Sequence, residues 1–195
     1  NHPEAYHTMG QTAEAVARKF GITREQQDKF AFNSHQKAIA AYAAGKFKEQ
    51  IVTVPVRVKD EGEQWHDLVL DKDEGPRADT NLEKLATLKT VFAEDAAATV
   101  TAGNSSPLND GAAVSVIMTR DEANALGLKP LATFVQAAVV GVPSDIMGVG
   151  PVPAIRKLLK KTGMTVNDID LFEINEAFAS QCFYCQSDVG IADER

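Results

Sequence analysis

Cysteine and long apolar runs are what this sequence has least of. Two cysteines in 195 residues are too few for a disulfide-based scaffold, and they favour a reducing compartment. No stretch approaches the roughly 18 consecutive apolar residues that a membrane-spanning helix needs. Basic charge is also in deficit, with 20 Lys and Arg against 27 Asp and Glu and a net charge of −7. This acidic balance argues against a general nucleic-acid or anionic-membrane surface.

The start of the sequence, residues 1–4, carries neither an initiator Met nor a signal-peptide pattern. We therefore expect the sequence to begin inside a longer protein. Its composition, with 44% apolar and 24% charged residues, is ordinary for a globular protein. The length suffices for one large domain or two small ones with a sizeable core.

Helical patterns dominate the first part of the chain, up to about residue 95. We expect helices over 10–20, from the Thr23–Gln26 capping box to residue 46, and over 82–92. β-Branched residues over 51–58 and the apolar residues 68–70 predict two strands. These elements indicate a mainly helical region.

After residue 95, β-prone segments alternate with helical ones. We expect β structure over 96–102, 130–142 and 166–174, and helices over 120–126, over 151–162 and from about Glu176 onward. This alternation is typical of a layered α/β domain.

The segment Glu173–Ser180 runs from strand-like residues directly into a predicted helix. Asn175 stands at the junction, where its carboxamide could point into a cleft and support an oxyanion during acyl transfer. The alternative, which the residues alone favour, is a plain helix cap, with Glu176 in the first helical turn.

Two further segments are rich in glycine and small polar residues. Thr99–Ser106, followed by Asn109–Ala113, could let backbone approach a ligand or simply form a tight turn. The two glycines of Ile146–Pro151 precede a helix and could present N–H groups to an anion, but a packed loop explains them as well.

Cys182 and Cys185 have the C-x-x-C spacing of a redox pair. Redox function needs the first Cys exposed at the start of a helix, where its thiolate is stabilised. Here both cysteines lie well inside a predicted helix, which favours two packed thiols over a labile disulfide.

Taken together, these segments resemble one family, the thiolases, and most closely its degradative 3-ketoacyl-CoA type. Four motifs occur in the family's order and with similar spacing, and the run Ser34–Phe47 followed by Ile51-Val52 resembles it too. The four motifs are Met9–Glu14, Thr99–Ser106, Met147–Pro151 and Asn175–Phe178.

The resemblance implies a reaction in two steps. A cysteine attacks the keto carbon of a 3-ketoacyl-CoA, acetyl-CoA leaves, and a second CoA takes up the shortened acyl group. Asn175 would hold a water that stabilises the oxyanion, and Glu176 would support this motif. The remaining implied contacts are with CoA or its acyl chain, and they fall on Ser106 at the pantetheine arm, Phe178, Met9 and Met147 along the tunnel, and Arg77 and His35 near the nucleotide. For His35, an ordinary exposed helical histidine is the alternative.

The implied fold is α/β, a thiolase-like mixed sheet between helices that is only partly contained in this sequence, with a helical loop domain. Residues 1–95 would form the loop domain, 96–119 the end of the N-terminal domain and 120–195 the first part of the C-terminal domain. The family's nucleophilic Cys would lie upstream, and its G-H-P histidine and second catalytic Cys downstream. The alternative is a CoA-binding or assembly module without chemistry of its own.

The resemblance also implies partners and location. CoA and acyl-CoA would be the substrates, no cofactor or metal would be bound permanently, and the protein would form homodimers or homotetramers. Nucleic acid and membrane spans are not expected. The location would be the cytoplasm of a bacterium, or the peroxisome or mitochondrial matrix of a eukaryote.

Overall fold

The computed structural model describes residues 2–195, and its regular elements alternate helices with one small sheet. In chain order they are α1 (Met9–Phe20), α2 (Arg24–Ala43), β1 (Val54–Lys59), β2 (Trp65–Leu70), α3 (Leu82–Ala86), α4 (Arg120–Ala125), α5 (Pro151–Thr162) and α6 (Ala179–Val189). Short 3-10 turns occur at Pro3–Tyr6, Ala102–Asn104, Ser144–Val149 and Val166–Asp168.

Helices α1 and α2 begin at reciprocal caps that the sequence encodes. The Thr23 side chain accepts a hydrogen bond from the backbone N–H of Gln26, and the Gln26 side chain accepts one from the N–H of Thr23. This confirms the predicted capping box. Gly21 ends α1 in the left-handed conformation, with φ of 66°, which glycine adopts without steric cost.

The two strands form an antiparallel hairpin, with Val54 opposite Leu70 and Lys59 opposite Trp65. Both predicted strand positions are therefore confirmed. Pro55 lies opposite Val69 within this ladder. A two-stranded sheet has only edge strands, which is where proline is tolerated.

The apolar core lies where α1 meets the 144–149 turn and α6. Its buried members are Val16, Ala17, Ile22, Ile146 and Val149. Phe20 and Tyr184 stack at the margin, with their ring centroids 3.8 Å apart. The core therefore joins the first part of the chain to the last.

Several sequence predictions of regular structure are wrong. The helix expected over 82–92 is limited to α3, although Leu85 is buried as expected. No strand forms over 130–142 or 166–174, and residues 96–102 contribute only an isolated bridge between Thr90 and Thr101. A strand needs a hydrogen-bonded neighbour, and none is available to these segments among residues 2–195.

The unpaired segments leave large apolar side chains in solvent. Phe134 is 76% exposed and Val116 is 83% exposed. Singly exposed apolar residues are normal, but larger continuous apolar patches mark interaction surfaces or aggregation-prone regions. None of the helices found in residues 2–195 combines the length and apolarity needed to cross a membrane.

Candidate functional site

The loop Thr99–Ser106 is held on its interior side by Glu14, a buried carboxylate on α1. Glu14 is 3% exposed and accepts hydrogen bonds from the backbone N–H groups of Thr99 (3.0 Å) and Val100 (2.8 Å), and from the Thr99 hydroxyl (3.1 Å). A buried charge is tolerated only when its hydrogen bonds are satisfied, as they are here.

Asp28, a buried carboxylate on α2, holds the same loop through Asn104. Asn104 accepts from the N–H of Thr101 (2.9 Å) and donates to the Asp28 carboxylate (3.0 Å). Arg24 completes the network by donating to Asp28 (2.7 Å). Buried side chains therefore hold the loop, in addition to its isolated backbone bridges to Thr90 and Phe178.

Sequence reasoning missed Glu14 and Asp28 as anchors. The signal was present for Glu14, because it lies on the same buried face of α1 as Ala13, Val16 and Ala17. A charged residue on the apolar face of an amphipathic helix indicates a buried polar partner.

The segment 175–178 lies extended against the far end of this loop. The N–H of Ser106 donates to the carbonyl of Ala177 (2.9 Å), and Ser105 forms a bridge with Phe178. The Ser34 hydroxyl on α2 donates to the Glu176 carboxylate. Helix α6 begins only at Ala179, after Phe178 in the capping position. The alternative in which Asn175 caps the helix is therefore wrong.

Two adjoining clefts open beside these segments. The smaller, of about 340 Å³, is lined by Asn175, Glu176, Ser106 and His35, among others. The larger, of about 1090 Å³, is lined by Ser106, His35 and Arg77 and by the acidic and basic residues Asp73, Glu74, Asp79 and Lys84. Ser106 and His35 border both spaces, so the two clefts are continuous along one wall.

The structure therefore brings together five of the eight residues singled out in the sequence. The other three lie outside the two clefts. Phe178 packs edge-to-face on Phe92, whose ring lines the larger cleft, with ring centroids 5.9 Å apart. Met9, at the start of α1, and Met147, in the 144–149 turn, are each about half exposed, at 50% and 46%.

His35 is joined to Arg77 at the shared wall. Its Nδ1 accepts a hydrogen bond from the backbone N–H of Arg77 at 3.2 Å. Partial burial, and secondly the Arg77 charge, lower the pKa of His35 from its ordinary value of 6.5, against the opposing charges of Asp79 and Glu176. His35 is therefore mainly neutral at neutral pH, as an accepting Nδ1 requires.

Both cysteines are free and buried within α6. Burial is the main cause that raises the pKa of Cys182 to about 12 and that of Cys185 to about 11. The interpretation as packed thiols is confirmed, since neither is an exposed, activated thiolate. Over residues 2–195, no group of His, Cys, Asp and Glu side chains is arranged to hold a metal ion.

Family comparison agrees with this geometry. Residues 3–121 match the model for the thiolase N-terminal domain and residues 128–195 the model for the thiolase C-terminal domain. The chain belongs to the thiolase family.

Two curated relatives of this chain are 3-ketoacyl-CoA thiolases. The chain is 50% identical to the 3-ketoacyl-CoA thiolase of Bacillus subtilis, covering 99% of this chain and 50% of that protein. It is also 50% identical to the peroxisomal 3-ketoacyl-CoA thiolase B of Rattus norvegicus, covering 96% of this chain and 44% of that protein. The chain thus spans about half the length of the curated relatives it matches.

Solved structures share the fold. The acetyl-CoA acetyltransferase of Bacillus anthracis superposes with a TM-score of 0.85 at 46% identity, covering 96% of this chain and 46% of that one. The dimeric peroxisomal thiolase of Saccharomyces cerevisiae gives a TM-score of 0.82 at 40% identity, covering 98% of this chain and 46% of that one. The predicted α/β, thiolase-like fold class is confirmed.

Proposed function

We propose that this chain supplies the CoA-binding and oxyanion-stabilising part of an acyltransferase that cleaves 3-ketoacyl-CoA with CoA. The products are acetyl-CoA and a shortened acyl-CoA, as in fatty-acid β-oxidation. One observation carries the proposal: Asn175, Ser106 and His35 line one cleft that continues into a larger, charged one. The names of the curated relatives support the same reaction.

Asn175 is the proposed oxyanion group. Its side chain is exposed at the smaller cleft and makes no hydrogen bond to any other residue between 2 and 195. The carboxamide is therefore free to hold a water that donates to the developing oxyanion. Glu176, tied to Ser34, would keep the neighbouring backbone in place.

The larger cleft is the proposed CoA site. Arg77 suits the nucleotide end, because a guanidinium both pairs with phosphate and stacks on adenine. His35 would share that surface, and Ser106, between the two clefts, would contact the pantetheine arm. Phe178, Met9 and Met147 remain proposed as tunnel-lining residues.

The reaction also needs a nucleophilic thiol, a histidine that activates it and a second thiol. Cys182 and Cys185 do not suit these roles, because both are buried and protonated. We therefore propose that further polypeptide supplies these groups. No thiol among the described residues lines either cleft, which also favours the second candidate, a CoA-binding or assembly module without chemistry. The gene-level length of the source protein discriminates between the two.

The proposed organisation assigns residues 1–95 to a loop domain, 96–119 to the end of the N-terminal domain and 120–195 to the start of the C-terminal domain. The family-model matches, which meet between residues 121 and 128, support the last boundary. We propose a homodimer or homotetramer, since a relative is a dimer. CoA thioesters would act as substrates, with no permanent cofactor. The location would be the cytoplasm in a bacterium, or the peroxisome or mitochondrial matrix in a eukaryote.

The test is a thiolysis assay on the full-length protein that carries this sequence. Asn175→Ala should lower turnover by a factor on the order of 10²–10³, the cost of losing one oxyanion donor. Asn33→Ala, at an exposed position on α2, is the matched control and should behave as wild type. Unchanged turnover in Asn175→Ala removes the proposed role.

A further inference from the structure

We propose that the C-x-x-C pair of α6 is a double tether: Cys182 positions the Asn175 loop, and Cys185 positions the Met147-Gly148 turn. This inference rests on the proposed function, since it assigns those two loops to the oxyanion group and the tunnel wall. Neither cysteine touches substrate in this scheme. Each acts through the backbone of a loop that does.

Cys182 holds the backbone of Asn175. Its thiol donates to the Asn175 carbonyl at 3.3 Å, and its backbone N–H donates to the carbonyl of Phe178 at 3.1 Å. The side-chain oxygen of Gln181, at 3.5 Å, is a more distant acceptor for the same thiol. The other contacts of this loop fix Glu176, Ala177 and Phe178. The thiol is therefore the contact that fixes the carbonyl of Asn175 itself.

Cys185 makes the equivalent contact to the other loop. Its thiol, which is fully buried, donates to the Gly148 carbonyl at 3.4 Å. A Cβ atom at Gly148 would lie 2.8 Å from Cγ of Gln181. Glycine at 148 thus lets the turn approach α6 closely. The Cys185 thiol then fixes the distance between the turn and α6.

The spacing of the motif explains how one helix reaches both loops. Residues three apart lie on the same face of a helix, about one turn from each other. Cys182 stands in the first turn of α6, nearest residue 175, and Cys185 stands one turn on, against the 144–149 turn. A single rigid helix therefore sets the distance between the two loops.

A protonated thiol suits this position better than a charged donor or acceptor. Burial keeps both groups protonated, with the pKa of Cys182 at about 12 and that of Cys185 at about 11. Each sulfur therefore retains its proton for donation at physiological pH. A thiolate at 182 would repel both the Glu176 carboxylate and an oxyanion forming beside Asn175.

The experiment measures kcat and the KM for CoA in the full-length protein. Cys182→Ala and Cys182→Val both remove the donor, one with a smaller apolar side chain and one with a slightly larger one. Both should lower kcat about threefold to tenfold, the worth of one hydrogen bond, and leave KM unchanged. Cys185→Ala should raise KM by a similar factor and spare kcat. Cys182→Ser and Cys185→Ser each keep a hydrogen-bond donor. They should keep kcat and KM, respectively, within about twofold of the wild-type value.

Tyr184→Phe is the matched control on α6. It removes a hydrogen bond of 3.3 Å to Asp188 that stays within the helix, and it should change neither constant. The tether is refuted if folded Cys182→Ala or Cys182→Val keeps wild-type kcat, if the serine variants do not recover, or if Tyr184→Phe costs as much. Asn175→Ala, assayed alongside, distinguishes failure of the tether from failure of the proposed function. If Asn175→Ala does not lower kcat, the proposed function is refuted and not the tether alone.

Discussion

Removing the charge of Glu14 should loosen the loop that carries Ser105 and Ser106. In Glu14→Gln, one side-chain oxygen still accepts from the Val100 N–H, which is 2.8 Å away in the native contact. The same oxygen still accepts from the Thr99 N–H at 3.0 Å. The new amide NH₂ replaces the second oxygen, which accepts from the Thr99 N–H at 3.0 Å and from the Thr99 hydroxyl at 3.1 Å, so that Thr99 loses this acceptor and meets a donor in its place. The loss of a charge-assisted, buried hydrogen bond costs about 1–3 kcal/mol. Glu14→Ala leaves both N–H groups without an acceptor and should cost on the order of 2–6 kcal/mol.

Hydrogen exchange read by mass spectrometry is the appropriate assay, because it reports local opening. A cost of about 1–3 kcal/mol corresponds to exchange about fivefold to 150-fold faster in a peptide covering 96–106. Peptides from the 54–70 hairpin, which Glu14 does not touch, serve as an internal reference. Glu49→Gln, at an exposed position, should leave both regions as in wild type.

The reasoning is refuted if Glu14→Gln leaves exchange over 96–106 unchanged. It is also refuted if the hairpin peptides accelerate as much, since that would indicate global destabilisation. If residues 96–106 exchange faster in Glu14→Ala than in Glu14→Gln, the effect follows the number of N–H groups left without an acceptor.

Two further predictions concern the shared wall of the clefts and the exposed apolar segments. The pKa of His35, followed by NMR, should lie below 6.5 and rise in Arg77→Ala; a value that is not raised would contradict the assigned role of the Arg77 charge. Because folding lowers this pKa, the stabilising contribution of neutral His35 is present above pH 6.5 and is lost as the pH falls through the lowered value. Residues 1–195 expressed alone should bind a hydrophobic dye and self-associate, because Val116 and Phe134 are exposed. A cooperative, monomeric unfolding transition of that fragment would overturn this expectation.

Most of the helices were predictable because their signals are local, although the helix expected over 82–92 ends at Ala86. Thr23 and Gln26 define the start of α2, and a glycine in the left-handed conformation follows α1 and α5 at Gly21 and Gly163. Such caps involve neighbours within one turn, so the sequence carries the whole interaction. The two strands were predictable for a related reason, because they are close in sequence and each finds its partner in the other.

Strand formation at 130–142 and 166–174 was not predictable in the same way. Apolar, β-branched residues show only that a segment could be buried in a sheet. Whether it becomes a strand depends on a partner that can be far away in the chain. Phe134 and Leu171, which are 76% and 75% exposed, have no such partner among the described residues.

The site was partly predictable. The sequence identified the segment that forms it, but not which of its residues face the interior of the protein and which face the clefts. Thr101 and Asn104 are buried and bind the interior of the protein, whereas Ser106, two residues after Asn104, lines both clefts. A motif of small polar residues therefore has two roles, anchoring on one side and lining a cleft on the other. The sequence alone identified the motif but could not show which residue has which role, because the buried residues are held by Glu14 and Asp28. Glu14 is 85 residues away from its partner Thr99, and Asp28 is 76 residues away from its partner Asn104. Long-range polar anchors, rather than the cleft residues themselves, are what the three-dimensional arrangement adds to the prediction.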